Sequence, residues 1–200
     1  VVSFDREGVR LDNGERVAAG AVVIATGTSV PELFAAASIK LRKGHLAITD
    51  RYPGFIRHQL IELGYLKSAH GTDSDSVAFN VQPRKTGQVL IGSSRQYGVD
   101  DPAVEPRMVS AMLARAKEYM AALGTLSAIR IWTGFRAATP DNLPLIGRCP
   151  GYDNVYLAAG HEGLGISMSL ATARLLADMM LGRETAIPTE PYAPARAGVH

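Results

Sequence analysis

Two stretches of this 200-residue chain hold residue types that could do chemistry together. One is GFRAATPDNLPLIGR, Gly134 to Arg148, in which an arginine ends an apolar run and meets a Pro-Asp-Asn turn. The other is GHEGLG, Gly160 to Gly165, in which glycines enclose a histidine and a glutamate ahead of a helix-like segment. Arg136 carries five N–H donors in a planar fork, which suits a carboxylate bidentately. The same arginine could form a structural ion pair with Asp141 or Glu162, and on charge chemistry alone that reading weighs slightly more. Glycines at a strand-to-helix turn let a ligand approach the backbone. The helix start adds unpaired N–H groups and a partial positive charge, suited to an anion. A plain strand-to-helix connection explains the same letters about equally well. His161 has a near-neutral ordinary pKa and could act as a base. A hydrogen bond that orients the backbone is the commoner use of such a residue.

Other chemistries find little support. His45, His58 and His70 are scattered without metal-ligand spacing, so no metal site is expected. The lone Cys149 can form neither an internal disulfide nor a CxxC site, and reads as a small buried residue. One cysteine suits a reducing, cytosolic setting. No Gly-x-Ser-x-Gly occurs. The glycine order of GHEGLG is wrong for a nicotinamide fingerprint, and no strand ending in an acidic residue follows. The net charge of +2 comes from interspersed acids and bases, which argues against a nucleic-acid surface. The apolar segment Gly163 to Gly182 contains Arg174 and Asp178, so it reads as a helix and not as a membrane span. No secretory signal pattern is present.

The elements that must position these residues follow from the hydrophobic pattern. Residues 1–20 read as a small β-meander already under way at Val1, with turns at Glu7-Gly8 and Asn13-Gly14. AVVIATG, Ala21 to Gly27, reads as a strand buried on both faces in a parallel sheet, although any single such run is more simply a core strand. Pro31 permits a short helix to Ala37. From Lys40 to Gln96, LAITD, HQLIEL, VAFNVQP and GQVLIGS predict short antiparallel strands. The run His70 to Ser76 reads as a polar loop. A helix is expected from Pro106 to Leu123, with Met108, Met112, Ala116, Tyr119 and Leu123 on its core stripe and Gly124 as its C-cap. Ala128 to Phe135 and Asn154 to Gly160 predict further strands, and Leu164 to Leu181 a helix closed by Gly182. The two ends share an α/β texture that the middle lacks, which predicts a discontinuous domain with an inserted sheet.

VVIATG, then GFRAATPDNLPLIGR, then NVYLAAGHEGLGISMSLATARLLADMMLG together resemble the D-amino acid oxidase family of FAD enzymes, in its C-terminal half. The middle, KGHLAITDRYPGF with VAFNVQPRKTGQVLIGSSRQ, resembles a subgroup: the β subunits of D-hydroxyproline dehydrogenase, opine oxidase and hydrogen cyanide synthase. The resemblance implies an α/β chain, α+β in its inserted part. It would be a partial FAD-binding domain of the glutathione-reductase-like type, over 1–39 and 134–187, with an antiparallel substrate-binding sheet over 40–133 and a loose tail over 188–200. It implies that Arg136 holds the substrate carboxylate. It places Gly134, Gly160, His161, Glu162, Gly163, Leu164, Gly165 and Ile166 at the flavin, Gly27 toward the phosphates and Val1 where adenine is contacted. Pro140 to Gly147 would support the turn.

The implied reaction is hydride transfer from the C–N bond of a small amino or imino acid to FAD, with no catalytic side chain required. Glycine oxidase-like members carry a further arginine in the turn after the histidine, where this chain reads HEGLG. That departure favours a dehydrogenase-like enzyme passing electrons to a redox partner subunit or a quinone. A cytoplasmic location, or peripheral attachment to the inner membrane, goes with it. Tyr65, Tyr97 and Arg84 are conceivable pocket-wall residues, although packing or surface roles explain each as simply. The family's Gly-rich dinucleotide motif is missing from these 200 residues. The expectation is therefore a C-terminal portion of a longer flavoenzyme, inactive in isolation. The alternative is a non-catalytic subunit or fragment that acts only in assembly.

Overall fold

The computed structural model describes residues 1–64 and 74–196. Tyr65, His70 and the first part of the 70–76 loop lie outside the described residues. The fold is mixed α/β, with three sheets. It divides into two compact units, residues 1–40 with 136–200, and residues 41–135.

The first unit opens with the meander β1 (Ser3–Asp5), β2 (Gly8–Arg10) and β3 (Arg16–Ala18), antiparallel throughout. Gly8 sits at φ +147°, and a Cβ there would come within 2.0 Å of the Val17 carbonyl oxygen, so only glycine fits. β4 (Val22–Ile24) runs parallel to β11 (Val155–Ala159), and β10 (Leu145–Arg148) pairs antiparallel with β11 on its other side. Alternation along these strands builds a core on each face. Ile24, Leu145, Val155, Leu157 and Ala159 point one way, against Val30 and Phe34 around the single turn α1 (Val30–Leu33). Ile146 and Tyr156 point the other way, against Leu175 and Leu176 of α3 (Gly165–Met180). Helix α3 ends in a Schellman motif: the Gly182 N–H reaches the Met179 carbonyl and the Arg183 N–H that of Asp178, with Gly182 at φ +63°.

The second unit is a five-stranded sheet in the order β6-β7-β8-β5-β9, comprising β5 (Lys40–Arg51), β6 (Leu60–Ile61), β7 (Ser76–Pro83), β8 (Gln88–Tyr97) and β9 (Ala128–Ala138). Its core joins Phe79, Val81, Val89 and Ile91 to Met112 and Ala116 of α2 (Pro106–Tyr119).

Four expectations need correction. Among the described residues β4 pairs with β11 alone, and Val23 is 43% exposed. Helix α2 stops at Met120, whose extended backbone breaks the helix, so Gly124 is no C-cap and lies in a following 3-10 turn. Tyr119 leaves the core stripe, half-exposed and stacked on Phe79 at 4.9 Å. The stretch 188–196 is pinned and not loose. Tyr192 packs on the α3 core, and the Arg196 guanidinium grips Asp141 through Nε at 2.7 Å and a second nitrogen at 2.9 Å.

Candidate functional site

The carboxyl ends of β4 and β11, parallel neighbours, face the same edge of their sheet. Turns that leave such an edge are where ligands bind in open α/β sheets. The β4 side leaves through Gly27 at φ +61°, and the β11 side through Gly160 at φ +79°. A Cβ on Gly160 would press to 2.6 Å from Thr139 Cγ2, so this turn is seated tightly against the loop after β9. An isolated antiparallel bridge, Ala138 with His161, ties the two segments together. Thr139 is buried and donates to the Leu143 carbonyl at 2.7 Å, which closes the Pro140–Leu143 turn beneath.

His161 is half-buried, and its Nε2 lies 2.9 Å from Thr172 Oγ1, which clamps the turn onto α3. Burial pushes the His161 pKa below the ordinary histidine value, so the ring is held neutral. With its Nε2 engaged by a helix threonine, the ring fits the orienting role. Glu162 follows at φ +50°, a left-handed conformation uncommon for glutamate. The Gly163 N–H donates to Glu162 Oε2. The Leu164 N–H reaches the His161 carbonyl, and α3 begins at Gly165 with no side-chain cap. Its first-turn N–H groups therefore offer donors and a positive dipole end.

Arg136, of the two sequence alternatives, lies beside Glu162: Nε stands 3.7 Å from Oε1, with side chains 21% and 11% exposed. Asp141, the other candidate partner, is taken by Arg196, which holds its pKa down at about 2. Gly134 lies two residues upstream in β9, exposed, with open space where a Cβ would sit. Val1 is exposed ahead of β1. Thus Arg136, Gly160, His161, Glu162, Gly163, Leu164, Gly165 and Ile166 come together around one turn. Gly27 shares its sheet edge. Val1 is not drawn into it, and Gly134 belongs to the second unit.

A concavity of about 380 Å³ opens beside the turn, lined by Val23, Ala25, Ala158, His161, Gly165, Ser169, Thr172, Ala173 and Leu176. Sequence reasoning missed most of these. The signal was there: Gly165, Ser169, Thr172, Ala173 and Leu176 recur at helical spacing, which puts small residues on one face of α3. Ile166 and Leu170 are nearly fully exposed on the same helix.

The remaining candidates lie apart from this turn. Burial pushes the Cys149 thiol up to about 11, which makes it a poor nucleophile. His45 is fully buried in the second unit, with Nδ1 2.9 Å from Ser94 Oγ and Nε2 accepting the Glu105 N–H. Arg84 is exposed at a hairpin turn, and Tyr97 packs under the Arg42 guanidinium. Among the described residues there is no His/Cys/Asp/Glu group able to hold a metal, and no helix long and apolar enough to cross a membrane.

Comparisons with known proteins bear on this geometry. The model of a family described as FAD dependent oxidoreductase matches residues 1–179. Glycine oxidase of Pseudomonas aeruginosa is 37% identical over 113 residues, covering 56% of this chain and 31% of that protein. D-amino acid dehydrogenase of Neisseria meningitidis is 44% identical over 73 residues, covering 36% of this chain and 17% of that protein. Among solved structures, glycine oxidase of Geobacillus kaustophilus superposes with a TM-score of 0.77 at 26% identity, over 92% of this chain and 47% of that one. L-proline dehydrogenase of P. horikoshii shares the fold, with a TM-score of 0.78 at 24% identity over 94% of this chain and 49% of that one. The chain thus spans about a third of the curated glycine oxidase and about half of each solved chain.

Proposed function

Because the chain belongs to the FAD dependent oxidoreductase family, we propose that it forms the substrate-facing part of an enzyme that oxidises the C–N bond of a small amino or imino acid. On this reading the first unit belongs to a glutathione-reductase-like FAD-binding domain, and the antiparallel sheet of the second is an inserted substrate domain. The parallel pair β4–β11, with glycine turns at one edge, supports the first assignment. The antiparallel pairing of β6, β7, β8 and β5 supports the second.

The residues present fit the flavin end of FAD. The uncapped start of α3 supplies backbone donors, the tight Gly160 turn gives close backbone approach, and the adjoining concavity is mostly apolar. Bound there, FAD supplies the acceptor for a hydride from the substrate α-carbon. The chain's own residues position and polarise. The N–H groups of Gly163 and Leu164 are bonded within the turn, so the donors at the start of α3 would be the ones to meet negative charge on the bound group. His161 and Thr172 keep that turn on the helix. Arg136 orients the substrate by its carboxylate, and no side chain is asked to take a proton. Gly27 serves the phosphate side. Gly134 at the flavin and Val1 at the adenine rest on the family resemblance alone. The HEGLG turn, with no second arginine, favours transfer to a partner subunit or quinone over oxygen. A cytoplasmic or peripheral inner-membrane location follows from that choice.

The observation that carries the reading is the meeting of Arg136 with the glycine turn at the start of α3. Arg136→Ala in the flavin-loaded protein tests it. A lost bidentate contact to a charged group is worth about 2–3 kcal/mol, so kcat/KM for carboxylate-bearing amines should fall about 30- to 150-fold. Turnover of neutral amines should change little. Equal loss on both would leave Arg136 a structural residue.

A further inference from the structure

We propose that His45 is a proton-sensitive latch: as a neutral ring it pins the start of α2 to β5 and β8, and on taking up a proton it releases that end of the helix. The latch lies wholly within the second unit and is independent of the flavin reading.

A helix start leaves backbone N–H groups without partners. In a capping box, a Glu or Gln at the third helical position reaches back to the N–H of the cap residue. Helix α2 has no such device. Its cap residue Glu105 makes no side-chain cap bond, Pro106 takes the first position, and Met108 stands at the third. The Glu105 N–H is met instead by His45 Nε2, at 3.0 Å and from 60 positions away in the sequence. An acceptor nitrogen carries no proton, so the ring proton of neutral His45 sits on Nδ1. There it faces Ser94 Oγ of β8 at 2.9 Å, and the same oxygen accepts the His45 backbone N–H at 2.8 Å. His45 is fully buried, so bulk water cannot replace these partners.

One proton reverses the roles. A charged ring carries N–H on both nitrogens, so Nε2–H would stand against the Glu105 N–H, donor against donor, away from water. The charges around the ring pull both ways. Lys43, two residues along β5, opposes the proton, and the Glu105 carboxylate favours it. That carboxylate is also engaged by Arg107 Nε and by Gln96 of β8, while Asp75, just ahead of β7, holds Arg107. Burial is the largest influence and depresses the His45 pKa below its ordinary value of 6.5. A histidine depressed in the folded state contributes stability that is full above 6.5 and is lost as pH falls below it. The loss is felt first where the ring is bonded, at the start of α2. Farther along, Met112 and Ala116 keep the helix on the core.

Hydrogen exchange of the folded protein at about pH 7.5 and about pH 5.5, corrected for the intrinsic pH dependence of amide exchange, tests the latch. In the wild type, protection over residues 105–111 should fall about five- to ten-fold at the lower pH, the ceiling for one proton taken up at an ordinary histidine. Protection in β7 and β8 should hold. His45→Gln offers an amide oxygen to the Glu105 N–H and does not titrate, so its protection there should change by less than about two-fold. The same fall in His45→Gln, no fall in the wild type, or a fall shared equally by β7 and β8 overturns the latch. If His45→Gln does not fold, the imidazole nitrogen NMR shifts of the wild type decide. A proton on Nδ1 alone at neutral pH, with the wild-type fall confined to the start of α2, upholds the latch. A proton on Nε2 at neutral pH overturns it.

Discussion

Asp141 and Arg196 show how a remote side chain can hold a functional turn. Arg196 donates to both Asp141 oxygens and also to the Leu143 and Pro144 carbonyls. The guanidinium is only 9% exposed, and the Asp141 carboxyl is held down at about 2. A carboxylate whose folded pKa lies below its unfolded value stabilises the fold at pH above the unfolded value, near 3.8. That contribution fades as pH falls from there toward 2. Asp141→Asn should therefore cost about 1–3 kcal/mol at pH 7 in urea unfolding. It should also lose the part of the acid dependence that Asp141 supplies. Equal stability of the two proteins at pH 7 would mean that the pair is ornamental. Residue types were readable in the sequence here, but pairings were not. Arg136 stood out because it ends an apolar run ahead of a Pro-Asp-Asn turn, and Glu162 because it lies within the GHEGLG turn. Arg196 did not, because it lies 55 positions from Asp141 in a Pro- and Ala-rich run that looks loose.

At the scale of elements, periodicity predicted well where one face is dry. α3 keeps a buried stripe through Thr172, Leu175 and Leu176, and β11 reads as a continuous apolar run because cores lie on both of its faces. β5 was read too short. Arg42, Lys43, His45 and Thr49 are buried polar residues that interrupt the apolar pattern of a 12-residue strand. β4 was read as doubly buried because its β-branched run carries no mark of the face that Val23 leaves exposed. The Gly160 turn was readable only as permissive, and the contact with Thr139 makes it obligatory. Gly160→Ala combines an unfavourable φ of +79° with a 2.6 Å collision. It should destabilise the first unit by about 1–3 kcal/mol, and should also weaken the seating of His161 and Glu162. Thermal melts together with hydrogen exchange at Ala138 and His161 check this. Wild-type stability with unchanged exchange there would show that the turn yields freely.

For the whole molecule, the proposal is that these residues serve an FAD-dependent oxidation of small amino or imino acids. Family membership is carried by 179 matched residues, yet the chain corresponds to about half of the solved relatives it resembles. The oxidation therefore stands as a proposal, and what the fold shows directly is a division into two compact units. The sequence hinted at that division through the contrast between its α/β ends and its antiparallel middle. It could not tell which surfaces meet a cofactor, because an uncapped helix start and a plain turn have the same letters. The most direct measurement is the visible absorbance of the purified protein, before and after anaerobic addition of D-proline, glycine, sarcosine or an opine. A flavin band that bleaches with at least one of them is the expected result. Well-folded protein with no flavin band, or a band that none of them bleaches, would contradict the proposal.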